Sequence, residues 1–155
     1  MESLLDTYRK NVRQRSLFTE IVDIDFYDGP TEALCQLVDS RQWLICSLIY
    51  FDIKKGERIF TLLEISNEWL LKFKSILEKR SIDQAEVYEK LKEEINSFYN
   101  AYSGKLFLFK SNWLNAIEYE VIEIPLTQLE YFKDIEGVLE QSEESKLKWI
   151  NFFPK

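Results

Sequence analysis

The apolar period of this chain changes at Ile65, and that single switch limits the folds open to it. Between residues 18 and 65 apolar side chains recur at every second position in short runs broken by turn residues, whereas after Ile65 they recur every three to four. A two-residue period belongs to strands with one face inward, and a 3.6-residue period to amphipathic helices. Strands grouped first and helices grouped after them indicate an α+β layout, with helices on one face of an antiparallel sheet.

The turns fix the expected order. Val22, Ile24 and Phe26 share one face of a first strand, with Thr19, Ile21, Asp23 and Asp25 on the other. Tyr27-Asp28-Gly29-Pro30 supplies the turn, since glycine tolerates positive φ and proline cannot donate to a ladder. Further strands are expected over 31–38, 42–51 and 57–65, the last two joined through Lys54-Lys55-Gly56. Connections this short make neighbours antiparallel, which gives a four-stranded meander. A two-residue loop at Ser40-Arg41 would place Leu37 opposite Leu44, Cys35 opposite Cys46 and Ala33 opposite Leu48. Facing cysteines could form a disulfide or a redox pair, but in a chain with two in all, far short of a disulfide framework, reduced core thiols are the expected reading.

Beyond the switch, Ser66 is placed to cap a helix with Trp69, Phe73, Ile76 and Leu77 inward. A second helix carries Val87, Leu91, Ile95, Phe98 and Tyr102 on one stripe and stops at Gly104, with Ser81/Gln84 or Asp83/Glu86 as its capping box. KLFLFK (105–110) and AIEYEVIEI (116–124) alternate as a separate hairpin, and helical segments over 127–133 and 135–147 form a tail. Ahead of the meander, Leu4, Leu5, Tyr8 and Val12 make a stripe on an expected helix over 2–14, whose other face carries Arg9, Lys10 and Arg13. The expected architecture is therefore an N-terminal helix, a four-stranded meander packed by two helices, a β-hairpin and a helical tail, all within one domain, residues 1–155.

Chemistry is constrained mostly by what is missing. The sequence has no histidine, which removes the commonest general base and the Ser-His and Cys-His nucleophile systems. It has four glycines and no GxGxxG or GxxxxGK[ST] loop to cradle phosphates. An enzyme is the minority reading, and no cofactor is expected. The remaining catalytic possibility is a Mg²⁺- or Mn²⁺-dependent hydrolase or nuclease built on Asp23, Asp25 and Asp28, because oxygen ligands suit hard cations. A half-solvated strand face with a turn aspartate accounts for the same residues without a metal.

The net charge of −7 disfavours nucleic acid and anionic membranes. No apolar stretch is long enough to span a bilayer and no secretory leader is evident, so a cytoplasmic location is expected. The charge is also uneven. From Ile117 to Glu144 nine acidic residues face one basic residue, Lys133. Tyr119, Tyr131 and Phe132 interleave with them, and Trp149, Phe152 and Phe153 follow. Acidic surface with aromatic anchors suits a basic protein partner, through steering plus a few hot spots. Glu136, Glu140, Glu143 and Glu144 with Trp149, Phe152 and Phe153 are the expected partner-binding residues of a regulatory or accessory protein. A homodimer is a further way to use the aromatic surplus.

Phe26-Tyr27-Asp28-Gly29-Pro30, the strand ERIFTLLEIS, the helix after Ser66 and Ser81-Ile82-Asp83 resemble a family of uncharacterised bacterial proteins. That family shows F-Y-D-x-P after a first strand, then a meander, a Ser-started helix and a Ser-aliphatic-Asp. The resemblance implies a bacterial α+β domain and supplies no catalytic residues.

Overall fold

Residues 57–64, ERIFTLLE, are apolar toward both sides, and such a strand needs cover on two faces and a partner on each edge. The computed structural model describes residues 15–26, 30–38, 40–52, 54–79 and 84–131, together with Leu4, Leu5 and Tyr8. It resolves that demand with one antiparallel sheet of six strands in sequence order. The strands are β1 (Phe18–Phe26), β2 (Pro30–Leu37), β3 (Trp43–Asp52), β4 (Glu57–Glu64), β5 (Leu106–Ser111) and β6 (Glu120–Ile124). Two helices, α1 (Asn67–Leu77) and α2 (Gln84–Ala101), connect β4 to β5, and a 3₁₀ turn, Leu126–Tyr131, follows β6.

This corrects the expected α+β arrangement of a four-stranded meander with a separate hairpin. The hairpin is part of the sheet, because β5 runs antiparallel to β4 with Phe60 opposite Phe109 and Leu62 opposite Phe107. Periodicity reports which side of a strand is apolar and carries no information about its edge neighbour. Of the helix expected over 2–14, Leu4, Leu5 and Tyr8 are described and are helical, and the rest lies outside the described residues. Of the expected tail, 126–131 is the 3₁₀ turn, and 135–147 lies outside the described residues.

The register of the β2–β3 hairpin also differs from expectation. Cys35 lies opposite Leu44 and Ala33 opposite Cys46. The loop has four residues, closed by the Leu37 N–H donating to the Gln42 carbonyl at 2.8 Å, with Arg41 at φ 61°. A two-residue primed turn needs positive φ at both central positions, which Ser40-Arg41 does not favour. The longer loop takes the left-handed region at Arg41. The slip is two residues, so each side chain keeps its face while its partner changes. Cys35 and Cys46 become diagonal neighbours, both buried and both free. Diagonal positions are about 7–8 Å apart at Cα, beyond the usual reach of a disulfide.

Each face of the sheet has its own core. On the helix face, Leu34, Ile45, Leu63 and Leu108 meet Phe73 of α1 and Leu91, Phe98 and Tyr99 of α2. Ser66 caps α1, its hydroxyl accepting from the Trp69 N–H at 3.4 Å. A bulge at Ile49 turns both Ile49 and Tyr50 toward this side. The opposite face packs Phe18, Cys35, Cys46, Phe60, Phe107 and Phe109. It is covered by Leu4 with Leu5 and Tyr8, and by Leu114 and Tyr119 from the loop between β5 and β6.

Candidate functional site

The polar groups of the helix face gather in one row. Glu32 of β2, Ser47 of β3 and Thr61 of β4 are consecutive partners across three strands. Tyr99 descends from α2 onto this row, its hydroxyl sharing a 2.6 Å hydrogen bond with that of Ser47. Thr61 is fully buried and donates to the Ser47 carbonyl at 3.4 Å. Burial pushes the Tyr99 phenol well above its ordinary value, and the charge of Glu32 adds to the effect. The hydroxyls are thus proton-holding groups locked to one another, suited to fixing α2 on the sheet. Proton transfer to a substrate would need a group that titrates near neutrality. The sequence reading missed this row. Its trace is a polar residue interrupting the apolar alternation at aligned positions of neighbouring strands, visible once the register is known.

A second missed feature closes one end of the sheet. The Arg58 guanidinium, on a residue 9% exposed, lies 4.2 Å from the Phe51 ring centre and 4.7 Å from that of Trp113. Its Nη1 donates to the Asn112 carbonyl at 2.7 Å. A planar cation between two rings is a favourable use of arginine, and here it ties the β5–β6 loop to β3 and β4. That loop delivers Tyr119, which stacks on Phe109 at 5.4 Å. Burial pushes the Tyr119 phenol up to about 12; Tyr8 adds to the rise and Arg15 opposes it.

The buried thiols offer no reactive centre. Burial, and then the hydrogen bond to Cys35, push the Cys46 thiol up, which keeps it protonated and poorly nucleophilic.

Of the carboxylates proposed for a metal, Asp23 and Asp25 lie on β1, where the register shifts between them. Asp23 is opposite Ala33, but Asp25 is opposite Glu32, so β1 holds one extra residue between them. Asp23 is exposed, and Asp28 lies outside the described residues. No group of three or more Asp, Glu, Cys or His able to hold a metal occurs among the described residues. β1 and β6 are the outer strands of the described sheet, and the exposed Glu20, Asp23 and Glu123 lie along them. Charges there discourage edge-to-edge pairing with other chains.

The acidic block begins on the surface of the described fold. Glu118 and Glu123 are exposed, and Ile117 beside them is 55% exposed, an unusual position for a large aliphatic side chain. Lys105 reaches Glu123 at 3.9 Å from an open position, a weak and screened pair. Glu136, Glu140, Glu143, Glu144, Trp149, Phe152 and Phe153 lie outside the described residues. Among the described residues no helix is long and apolar enough to cross a membrane. Compared with protein-family models, with curated proteins and with solved structures, the chain matches none.

Proposed function

We propose that the protein is a small acidic interaction module, regulatory or accessory in role, that recognises the basic surface of a protein partner without performing catalysis. The observation that carries this reading is the surface emergence of the acidic block: Glu118 is exposed just before the outer strand β6 and Glu123 within it, with Ile117 exposed in the preceding loop. The rest of the block continues directly in sequence through Glu136, Glu140, Glu143 and Glu144 to Trp149, Phe152 and Phe153. Carboxylates of one sign steer a basic partner, and the aromatic residues provide buried anchors. The hydroxyl row under α2 supports the same reading, since its groups bond to each other and brace the scaffold.

The test is capture of a basic protein partner from a lysate, followed by affinity measurement with the triple reversal Glu136→Lys, Glu140→Lys and Glu143→Lys. Reversal should weaken binding by about tenfold or more and flatten its salt dependence. Binding unchanged by the reversal, or lost only with substitutions in the sheet, overturns the acidic-surface reading.

A further inference from the structure

The two outer strands of the described sheet end its cores differently. β6 runs for five residues, and its Val121 and Ile124 are sealed at 4% and 5% exposure, with only Ile122 partly open. β1 runs for nine residues, and Ile21, Val22 and Ile24 are all partly open. Val22 and Ile24 pack against the helix-face core and Ile21 against the opposite one. Both apolar layers therefore reach the β1 edge with their last side chains half covered. Among the described residues no strand lies beyond β1. An outer strand also directs alternate N–H and C=O groups sideways, where they template another strand.

The register sets where an added strand fits. From Glu20 to Asp23, β1 pairs residue for residue with Gln36 to Ala33, and register shifts bound that stretch on both sides. Within it Glu20 and Val22 share the helix face, and Ile21 and Asp23 the other. Each face thus offers one carboxylate and one aliphatic side chain. β1 as a whole carries Glu20, Asp23 and Asp25 and no basic residue. Pairing with a second copy of β1 would set acids against acids, whereas a basic strand turns the same charges into attraction.

We propose that the outer edge of β1 is a strand-addition site for an extended peptide segment of a protein partner, with the pattern basic–apolar–apolar–basic. That pattern matches Glu20-Ile21-Val22-Asp23: main-chain hydrogen bonds supply affinity, and the side chains on the two faces supply selectivity. The site shares the basic chemistry of the partner with the reading given above, but it stands on β1 alone, at the opposite edge of the described sheet from β6.

The probe is a short peptide with the core Lys-Ile-Val-Lys between threonines, added to the native full-length protein. At saturation, amide exchange within residues 20–23 should slow by about tenfold or more, as outward N–H groups become hydrogen-bonded. N-methylation of the core amides should weaken binding by about tenfold or more, since it removes main-chain bonds and keeps every charge. Glu20→Lys with Asp23→Lys, its folding checked by the urea midpoint, should weaken binding by about tenfold. The triple reversal at Glu136, Glu140 and Glu143 should leave affinity for this peptide unchanged. Failure of the peptide to bind, equal affinity of the N-methylated form, or unslowed exchange over 20–23 each overturns the edge site and leaves the acidic-block reading standing. Binding lost with the triple reversal but kept in Glu20→Lys with Asp23→Lys places the peptide on the acidic block and also overturns the edge site. A captured partner indifferent to the triple reversal removes the acidic-block reading, while exchange over 20–23 still decides the edge.

Discussion

Removing the Tyr99 hydroxyl tests whether the polar row fixes α2 to the sheet. Tyr99→Phe keeps the ring, which lies 6.1 Å from Phe98, and deletes the 2.6 Å bond to Ser47. A buried neutral hydrogen bond is worth about 1 kcal/mol net, and a partner left in a dry site adds to the loss, so the cost should be about 1–2 kcal/mol at pH 7. Ser47→Ala should show coupling of about 0.5–1.5 kcal/mol with it in a double-mutant cycle. The pH dependence gives an independent check. Burial raises the Tyr99 phenol in the folded state, so its contribution is complete below the unfolded value near 10 and is lost as pH rises through the folded one. At pH 11 a tyrosine held protonated costs the fold about 1.4 kcal/mol, and phenylalanine is spared that cost. The wild-type advantage should therefore shrink to about zero near pH 11. Tyr102 and Tyr119, both pushed up to about 12 chiefly by burial, remain in either background and cancel. Urea unfolding followed by tryptophan fluorescence from pH 7 to 11 measures both quantities. Additive single substitutions together with a pH-independent difference would refute the reasoning.

Two other substitutions probe the connections. Arg58→Met keeps the bulk between Phe51 and Trp113 but removes the charge and the bond to Asn112, so stability should fall by about 2 kcal/mol; a loss under 0.5 kcal/mol would show that the sandwich contributes little. A Cβ on Gly104 would stand 2.7 Å from the Tyr102 hydroxyl, which accepts from the Glu64 N–H at 3.1 Å and donates to the Lys105 carbonyl. Gly104→Ala should cost about 1–2 kcal/mol in chemical denaturation, and should cost less when Tyr102 is already Phe.

The sequence by itself determined the local elements of this protein. The change of period at Ile65 separated the first four strands from both helices, Ser66 marked the start of α1, and the stripe Val87-Leu91-Ile95-Phe98 is the buried side of α2. These succeed because side-chain direction within a strand or helix depends only on neighbours a few residues away. The acidic block from Ile117 onward is equally legible, since charge is additive along the chain. Tertiary structure decided the rest. The β4–β5 pairing spans two helices, and nothing in KLFLFK names ERIFTLLE as its neighbour. The extra residue between Asp23 and Asp25 and the bulge at Ile49 break alternation in strands that read as regular. The row of Glu32, Ser47, Thr61 and Tyr99 exists only once four distant segments are in register, and so does the seat of Tyr8 on Tyr119. A polar residue in one strand is ambiguous alone; its meaning is set by the partner that the fold places opposite it.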